Sequence, residues 1–272
     1  MHEALLDSHG ISYRVSDIRP TRLTLVLIHG LTGSSSAWYE HEKYLERDFN
    51  IVNVDLLGHG KSAKPREYGE YSIEAHARAI YALINRLDIG SFVTVSHSLG
   101  TLVALELLHT HGEKARASVF ISPTFHIGAK VARVTRAMID GAAALAETLL
   151  CPSSRRGRTD YTKHPNSGDW NIFRMHSDIR NTSVRCQILC LSQLYRYDQA
   201  GKWENLKVPV LIIHGARDTL VPIENARRFH DRVPGSRLIV FEDADHIVIL
   251  NNAREICDGV KQFLSGLECS AA

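Results

Sequence analysis

Two serines and a glycine at alternate positions, Ser96, Ser98 and Gly100, separate an apolar run from a helical pattern in VTVSHSLGTL. Small residues two positions before and after a nucleophile are typical of a sharp strand-to-helix turn, because larger side chains would collide with neighbouring main chain. Such a turn exposes the central hydroxyl, and it places the following N–H, that of Leu99, at a helix N-terminus that suits a developing oxyanion. We therefore predict Ser98 as a nucleophile and Leu99 as an oxyanion donor; the alternative is an ordinary turn with a serine N-cap.

A serine hydroxyl is a poor nucleophile without a base, which is commonly a histidine oriented by a carboxylate. After this kind of turn the expected chain order is serine, then acid, then histidine. Asp218 follows the apolar run VLIIHG, and His246 follows LIVFED. Because the carboxyl ends of parallel strands meet at one edge of a sheet, we predict that both side chains reach Ser98. Asp243 and Asp245 are too close to His246 along the chain to lie behind its ring.

A second oxyanion donor is expected in the segment HGLTGSSS, which follows another apolar run. Gly30 allows this loop to fold close to the nucleophile, so we predict the N–H of Leu31 as the donor. The alternative is a plain strand-to-loop turn. Phe125 and His126 stand just beyond a further strand end, and with Gly30 they are predicted to line the substrate pocket.

Short apolar runs alternate with helical patterns along most of the chain, which indicates an α/β fold. The runs are mostly continuous, as expected for parallel strands covered on both faces. They are RLTLVLIHG (22–30), FNIVNVDLLG (49–58), SFVTVSHS (91–98), ARASVFIS (115–122), VPVLIIHG (208–215) and SRLIVFED (236–243). The segment GISYRVSD (10–17) alternates instead and predicts part of an antiparallel edge. We expect a mostly parallel central sheet with helices on both faces.

The alternation stops between about Phe125 and Leu206, where two helical segments flank a loop without any strand pattern. We interpret residues 126–206 as a helical insertion between two strands. The insertion has twelve Lys or Arg residues and seven Asp or Glu residues. This balance allows two interpretations, a substrate with an anionic group or simply a solvated outer face.

These features together resemble the α/β-hydrolase superfamily. The matching segments are HGLTGS (29–34), DLLGHGKS (55–62), SHSLG (96–100), GARDTLVP (215–222) and DADHIVI (243–249). The resemblance implies an α/β-hydrolase fold whose core comprises residues 1–125 and 207–272. It also implies that residues 126–206 form a cap that covers the active site and selects the substrate. Ser96 departs from the glycine that is more usual in the family.

The resemblance assigns roles to the residues already singled out. It implies a catalytic triad of Ser98, Asp218 and His246, with the main-chain amides of Leu31 and Leu99 as the oxyanion hole. The DLLGHGKS segment is expected to shape a loop near the pocket without contributing a catalytic group. Relatives of this fold that hydrolyse haloalkanes or epoxides have an aspartate nucleophile, so the serine here excludes those reactions.

The leading hypothesis is therefore a serine hydrolase that cleaves a small carboxylic ester, lactone or thioester through an acyl-enzyme on Ser98. A C–C bond hydrolase acting on a dienoic keto acid has the same triad, and the basic insertion would suit its anionic substrate. A third hypothesis, from another class, is a ligand-binding receptor that retains the triad. The substrate, its acyl length and the oligomeric state are left open.

Composition gives no indication of other partners. Charged residues make up 23% of the chain and the net charge is +2, so neither nucleic acid nor a membrane is expected as a partner. No apolar run reaches the roughly 18 residues needed to span a bilayer. The segment MHEALLDSHG has no basic start followed by an apolar stretch, so we expect no secretory signal and a cytoplasmic enzyme acting on a small molecule.

Five cysteines are present and no CxxC motif occurs. Cys186 and Cys190 are four residues apart and are expected to share one face of a helix. Two further ligands at matching spacing are not evident, so we expect reduced thiols rather than a metal site. No cofactor is expected.

Overall fold

A computed structural model describes residues 1–125 and 133–270, and it contains an eight-stranded sheet. The strands are β1 (His2–Leu6), β2 (Ile11–Val15), β3 (Thr24–Ile28), β4 (Asn50–Val54), β5 (Phe92–His97), β6 (Ala115–Ile121), β7 (Val210–Gly215) and β8 (Arg237–Phe241). Their order across the sheet is β1-β2-β4-β3-β5-β6-β7-β8. Strands β3 to β8 pair in parallel, whereas β1 and β2 pair antiparallel. The predicted fold class is confirmed.

The described residues also form nine α-helices. They are α1 (Tyr39–Leu45), α2 (Ile73–Arg86), α3 (Leu99–His111), α4 (Arg133–Leu149), α5 (Ile172–Thr182), α6 (Val184–Arg196), α7 (Ile223–Arg232), α8 (Val248–Asn251) and α9 (Ala253–Ser270). Helix α2 begins where the Ser72 hydroxyl accepts from the N–H of Ala75, which is the expected N-cap contact. Helix α3 is buried along almost its whole length, as its apolar sequence indicates.

The parallel strands are buried on both faces, which explains their continuous apolar sequences. In β3, Val26 and Ile28 pack in one core layer, which also contains residues of α2 and α3. Leu25 and Leu27 point to the opposite face and pack in a second layer with α1 and α9. This alternation follows from the two-residue period of a strand. A shift of one residue in the pairing of a strand would therefore exchange the side chains of its two core faces.

Two elements differ from the sequence interpretation. The segment at residues 10–17 forms β2, part of an antiparallel edge as predicted, whereas the outermost strand of that edge, β1, was not predicted. Its exposure pattern explains the omission, because only Leu6 of the strand is buried. Helix α1 was not predicted either; its seven residues are too few for a clear periodic pattern.

Helices α4, α5 and α6 lie between β6 and β7 in the chain, within the predicted insertion. Helix α6 buries Cys186, Leu189, Cys190 and Leu194 in the same core layer as α2 and α3. From the loop before α5, Arg158 forms an ion pair with the buried Asp55 at 2.9 Å. The described part of the insertion is therefore attached to the core by both apolar packing and a buried ion pair. No helix within the described residues is long and apolar enough to span a membrane.

Candidate active site

The turn from β5 into α3 has the strained geometry that the sequence predicts. Ser98 has φ 51° and ψ −122°, a conformation that residues other than glycine rarely adopt. Its N–H donates to the carbonyl of Ile121 at 3.0 Å, and its carbonyl accepts from the hydroxyls of Thr101 and Thr124 at 2.6 and 3.2 Å. These contacts with β6 and α3 hold the turn in its strained form.

The small residues on either side of Ser98 are required by close packing. A Cβ atom at Gly100 would lie 2.6 Å from the carbonyl oxygens of Ile28 and His29, so only glycine fits at this position. The hydroxyl of Ser96, which replaces the more usual glycine, donates to the carbonyl of Val119 at 3.1 Å. Serine is therefore accommodated in the turn, with its polar atom paired on the neighbouring strand.

The three residues predicted for catalysis converge at the carboxyl edge of the sheet. The Nε2 atom of His246 lies 2.9 Å from Oγ of Ser98, and Nδ1 lies 2.7 Å from Oδ2 of Asp218. All three side chains are buried. With the Nδ1 proton donated to the carboxylate, the Nε2 lone pair is free to accept the serine proton. The geometry fits proton transfer, and the catalytic roles stay a prediction.

Asp218 is held as a carboxylate. Its Oδ1 accepts from the N–H groups of Leu220 and Val221 at 3.0 and 2.7 Å, and its Oδ2 accepts from His246. Burial alone would raise the pKa of Asp218, but the hydrogen bonds from His246 and from the main chain outweigh it and lower this pKa. The carboxylate therefore stays charged beside the imidazole.

His97, next to the predicted nucleophile, supports the main chain of His246 instead of acting on the serine. Its Nε2 donates to the His246 carbonyl at 3.0 Å, and the two ring centroids are 4.9 Å apart. Burial, together with the nearby His246, lowers the pKa of His97 to about 3. The neutral ring is therefore a fixed hydrogen-bond donor at neutral pH.

The loop with the second predicted oxyanion donor lies directly against the serine. A Cβ atom at Gly30 would lie 3.0 Å from Cβ of Ser98. His29 accepts the N–H of Leu56 at its Nε2 atom, at 3.0 Å, so its proton is on Nδ1 and is donated to the Gly30 carbonyl at 2.8 Å. Because a peptide unit is planar and trans, fixing this carbonyl also fixes the direction of the Leu31 N–H.

A second histidine holds the other side of the same loop. Both ring nitrogens of His59 face carbonyl oxygens, that of Leu57 at 2.9 Å and that of Leu31, so both must carry protons. Cys186 of α6 lies 3.9 Å from both nitrogens, and Cys190 is 3.9 Å from Cys186. Burial opposes the charge, but Cys186 and the carbonyls raise the pKa of His59. Burial likewise opposes ionisation of Cys186, but the Cys190 thiol and His59 lower its pKa.

His59, Cys186 and Cys190 are close enough to hold a metal ion, alone among such groups in the residues that the structure describes. Both ring nitrogens of His59 point at carbonyl oxygens, however, so neither directs a lone pair at the sulfurs. The arrangement fits a polar contact between α6 and the loop of Gly30 and Leu31 better than a metal centre. We call this loop the oxyanion loop after its predicted role. Sequence reasoning placed the two cysteines on one helix face but missed His59, which is 127 residues from Cys186 along the chain.

A cavity of about 290 Å³ opens at Ser98 and His246. Most of its wall is apolar. The apolar and aromatic lining residues are Leu31, Ala37, Tyr161, Trp170, Met175, Leu191, Leu194, Tyr195, Leu220, Val221, Ile247, Ile249 and Leu250. Arg174 also lines this cavity, but its guanidinium pairs with Asp178 at 2.9 Å. Several of these residues belong to α5, α6 and the loop before them, so the insertion closes one side of the cavity.

The predicted pocket residues have different outcomes. Gly30 lines the cavity as expected. Phe125 is not among the residues that line this cavity; its side chain is fully buried and stacks on Phe229, with ring centroids 4.4 Å apart. The strand end places the residue near the site, but its apolar ring gains more by packing in the core. His126 lies outside the described residues.

Asp169 was missed by the sequence analysis. It lies in the loop before α5, lines the cavity and accepts the main-chain N–H of His246 at 2.8 Å. The segment NSGDW has no periodic pattern, and no sequence signal directs attention to one acidic residue in a polar loop.

A mostly parallel sheet with a strained serine turn, and with histidine and aspartate at later strand ends, defines a hydrolase of the α/β class. A family model described as alpha/beta hydrolase fold matches residues 24–253. The chain therefore belongs to the α/β-hydrolase family, and it is an enzyme of that family.

Known relatives agree with this assignment. The chain is 30% identical to a pimeloyl-[acyl-carrier protein] methyl ester esterase of Neisseria meningitidis, with 89% of this chain and 76% of that protein covered. It is 26% identical to an uncharacterized protein of Mycobacterium tuberculosis, with coverages of 96% and 80%. Among solved structures, an esterase from Exiguobacterium antarcticum is similar with a TM-score of 0.71, 20% identity and 97% coverage of each chain. At that identity the structure shows a likeness of fold alone.

Proposed function

We propose that the protein is a serine hydrolase that cleaves a small carboxylic ester, lactone or thioester through an acyl-enzyme on Ser98. The observation that carries this proposal is the continuous hydrogen-bonded chain from Ser98 through His246 to Asp218, at 2.9 and 2.7 Å. These are the distances expected between a nucleophile, its base and the orienting acid.

In the proposed reaction, Oγ of Ser98 forms a bond to the substrate carbonyl carbon while His246 takes the hydroxyl proton. The tetrahedral intermediate collapses, the bond to the leaving alcohol breaks, and His246 returns the proton to that alcohol. Water then attacks the acyl-enzyme while His246 takes a proton from it. The second tetrahedral intermediate collapses, the bond to Oγ of Ser98 breaks, His246 returns the proton to Oγ, and the carboxylic acid leaves. Asp218 stays ionised throughout and stabilises the imidazolium that forms in each half of the reaction.

The negative charge of the tetrahedral intermediate would lie between the N–H groups of Leu31 and Leu99. Leu99 is the first residue of α3, so its N–H has no partner within the helix. The Leu31 N–H has its direction fixed by the contact between His29 and the Gly30 carbonyl. Each donor is expected to lower the barrier by about 3 kcal/mol.

The size of the cavity supports a small substrate. Its volume of about 290 Å³ is just below the roughly 300–1,000 Å³ of ordinary ligand sites. The apolar wall suits a hydrocarbon acyl chain. A relative of this chain is named as a methyl ester esterase, which is consistent with an ester bearing a small alcohol group.

The charge of the cavity favours an uncharged ester over a dienoic keto acid. Arg174 is the one Lys or Arg among the described lining residues, and its charge is paired with Asp178. An unpaired cation at this position would attract an anionic substrate, and the pairing of Arg174 with Asp178 removes this attraction. The receptor hypothesis has no specific contact in its favour.

We further propose that residues 126–206 act as a cap over the cavity and that the partner is a small molecule, without nucleic acid or membrane. The side chains that α5 and α6 contribute to the cavity wall support the cap. A cytoplasmic location is part of the same proposal, and the free state of Cys151, Cys186, Cys190 and Cys257 is consistent with it.

The test is covalent labelling with a fluorophosphonate followed by peptide mapping, together with hydrolysis of a series of p-nitrophenyl esters. We expect stoichiometric labelling at Ser98 and the highest kcat/KM for short acyl chains. Ser98→Ala should fold normally, remain unlabelled and lose nearly all turnover. Ester hydrolysis retained by Ser98→Ala, or a label at another residue, would refute the proposed nucleophile.

A further inference from the structure

One carboxylate from the insertion joins the two loops that hold the predicted base and acid. Oδ1 of Asp169 accepts the main-chain N–H of His246 at 2.8 Å. Oδ2 accepts both the main-chain N–H and the hydroxyl of Thr219, at 2.9 and 2.5 Å, and Thr219 is the residue after Asp218. The same buried side chain therefore contacts the base itself and the immediate neighbour of the acid.

The rest of this segment is tied to the same two loops. The N–H of Asp169 donates to Oδ2 of Asp245 at 3.0 Å, which is next to His246 in the chain. The indole N–H of Trp170 donates to the Thr219 hydroxyl at 3.0 Å. The Asp169 carbonyl accepts from Arg174 in α5 at 3.0 Å, which connects the contact to the body of the insertion.

We propose that Asp169 is a positioning residue. Its carboxylate holds the loop of His246 and the loop of Asp218 at the spacing that proton transfer between Ser98 and His246 requires. This inference rests on the proposed serine hydrolase function. If so, the arrangement of His246 and Asp218 depends on the position of the insertion, because both core loops are hydrogen-bonded to this one carboxylate. Movement of the segment around Asp169 away from the sheet would release His246 and Thr219 together.

The substitution Asp169→Asn tests whether both carboxylate oxygens of Asp169 are needed. Its amide group has nearly the same shape as the carboxylate but only one acceptor oxygen, so its NH₂ group would face an N–H donor at His246 or at Thr219. One of the two loops is then repelled rather than held. A misplacement of about 1 Å in reacting groups lowers rates by about 100-fold. We therefore expect kcat of Asp169→Asn to fall by about 10-fold to 100-fold, with KM for a small ester within about 3-fold of the wild type.

The experiment compares the wild type with Asp169→Asn and with Asp160→Asn as a matched control. Asp160 is an exposed aspartate of the same insertion, and among the described residues its carboxylate accepts from Thr162 and forms an ion pair with Lys163. Three measurements are made on each protein. They are kcat and KM with p-nitrophenyl butyrate, the rate of fluorophosphonate labelling at Ser98, and the downfield proton resonance of the hydrogen bond between His246 and Asp218.

We expect Asp160→Asn to match the wild type in all three measurements. In Asp169→Asn, kcat and the labelling rate should fall by the same factor, and the downfield resonance should broaden or disappear. If Asp169→Asn does not fold, Thr219→Val removes the hydroxyl donor to the same carboxylate and should lower kcat several-fold. Unchanged labelling and an unchanged resonance in a folded Asp169→Asn, or unchanged kcat in Thr219→Val when only that variant folds, would overturn the inference.

These outcomes are separable from a failure of the proposed function. If the wild type itself is not labelled at Ser98, the serine hydrolase proposal fails. If the wild type is labelled at Ser98, and a folded Asp169→Asn is labelled at the same rate with an unchanged resonance, only the positioning role fails.

Discussion

Replacing Gly30 with alanine would add a methyl group in a close contact between the oxyanion loop and the serine turn. The new Cβ would lie 3.0 Å from Cβ of Ser98 and 3.1 Å from Nδ1 of His97. An unstrained contact between such atoms is longer, about 3.5–4.0 Å between carbon atoms, so one side must move by about half an ångström. The serine turn is fixed by β5, β6 and α3, and we therefore expect the loop of Gly30 to move.

Movement of this loop displaces the Leu31 N–H, because the two residues share one peptide unit. Complete loss of one oxyanion donor corresponds to about 3 kcal/mol, or roughly 100-fold in kcat. A displacement of about half an ångström removes part of this interaction. We expect kcat of Gly30→Ala to fall between about 10-fold and 100-fold, with a smaller change in KM because the donor acts on the transition state.

The assay is ester hydrolysis by Gly30→Ala beside Gly141→Ala. Gly141 lies within α4, and a Cβ there would have no atom within 4 Å. Alanine is the better helix former by about 1 kcal/mol, so the control should raise Tm slightly and leave kcat unchanged. Thermal unfolding of both variants shows whether a loss of activity reflects the site or the fold.

A folded Gly30→Ala protein with kcat within a factor of two of the wild type would refute this reasoning. It would mean that the loop does not direct an oxyanion donor, or that the serine turn moves without consequence. A parallel fall in Tm of more than 10 °C would instead assign the loss to packing.

Three further predictions concern the core around the site. Gly100→Ala would place its Cβ 2.6 Å from carbonyl oxygens at the end of β3, and we expect little folded protein by circular dichroism, so a normal Tm would contradict the contact. Burial lowers the pKa of His41 and of His76 to about 3, so below about pH 6.5 the unfolded chain binds protons that the folded chain does not. Stability should therefore fall as the pH drops from about 6.5 towards 3, and His76→Leu should reduce the slope in urea unfolding by about 1.4 kcal/mol per pH unit; an unchanged slope is the contrary result. Cys186→Ser replaces the sulfur that lies 3.9 Å from the His59 ring and should lower kcat several-fold at constant KM, whereas an unchanged kcat would show that this contact does not support the oxyanion loop.

The sequence by itself determined the class of fold and the three convergent residues. Short continuous apolar runs between turn signals are typical of strands covered on both faces, and a small residue on each side of Ser98 is favoured by backbone crowding alone. Asp218 and His246 could be found because a parallel sheet brings strand ends to one edge, whatever their separation along the chain. These are consequences of local geometry and of the topology.

Only the tertiary structure decided which side chains surround Ser98, Asp218 and His246. Phe125 stands at a strand end yet packs against Phe229, because the direction of a side chain depends on neighbours that are distant in sequence. The contacts of Asp169 with His246 and of Cys186 with His59 join segments that are 77 and 127 residues apart. No periodicity encodes such pairs, since each depends on how the insertion lies on the sheet, and its position follows from packing over the whole molecule.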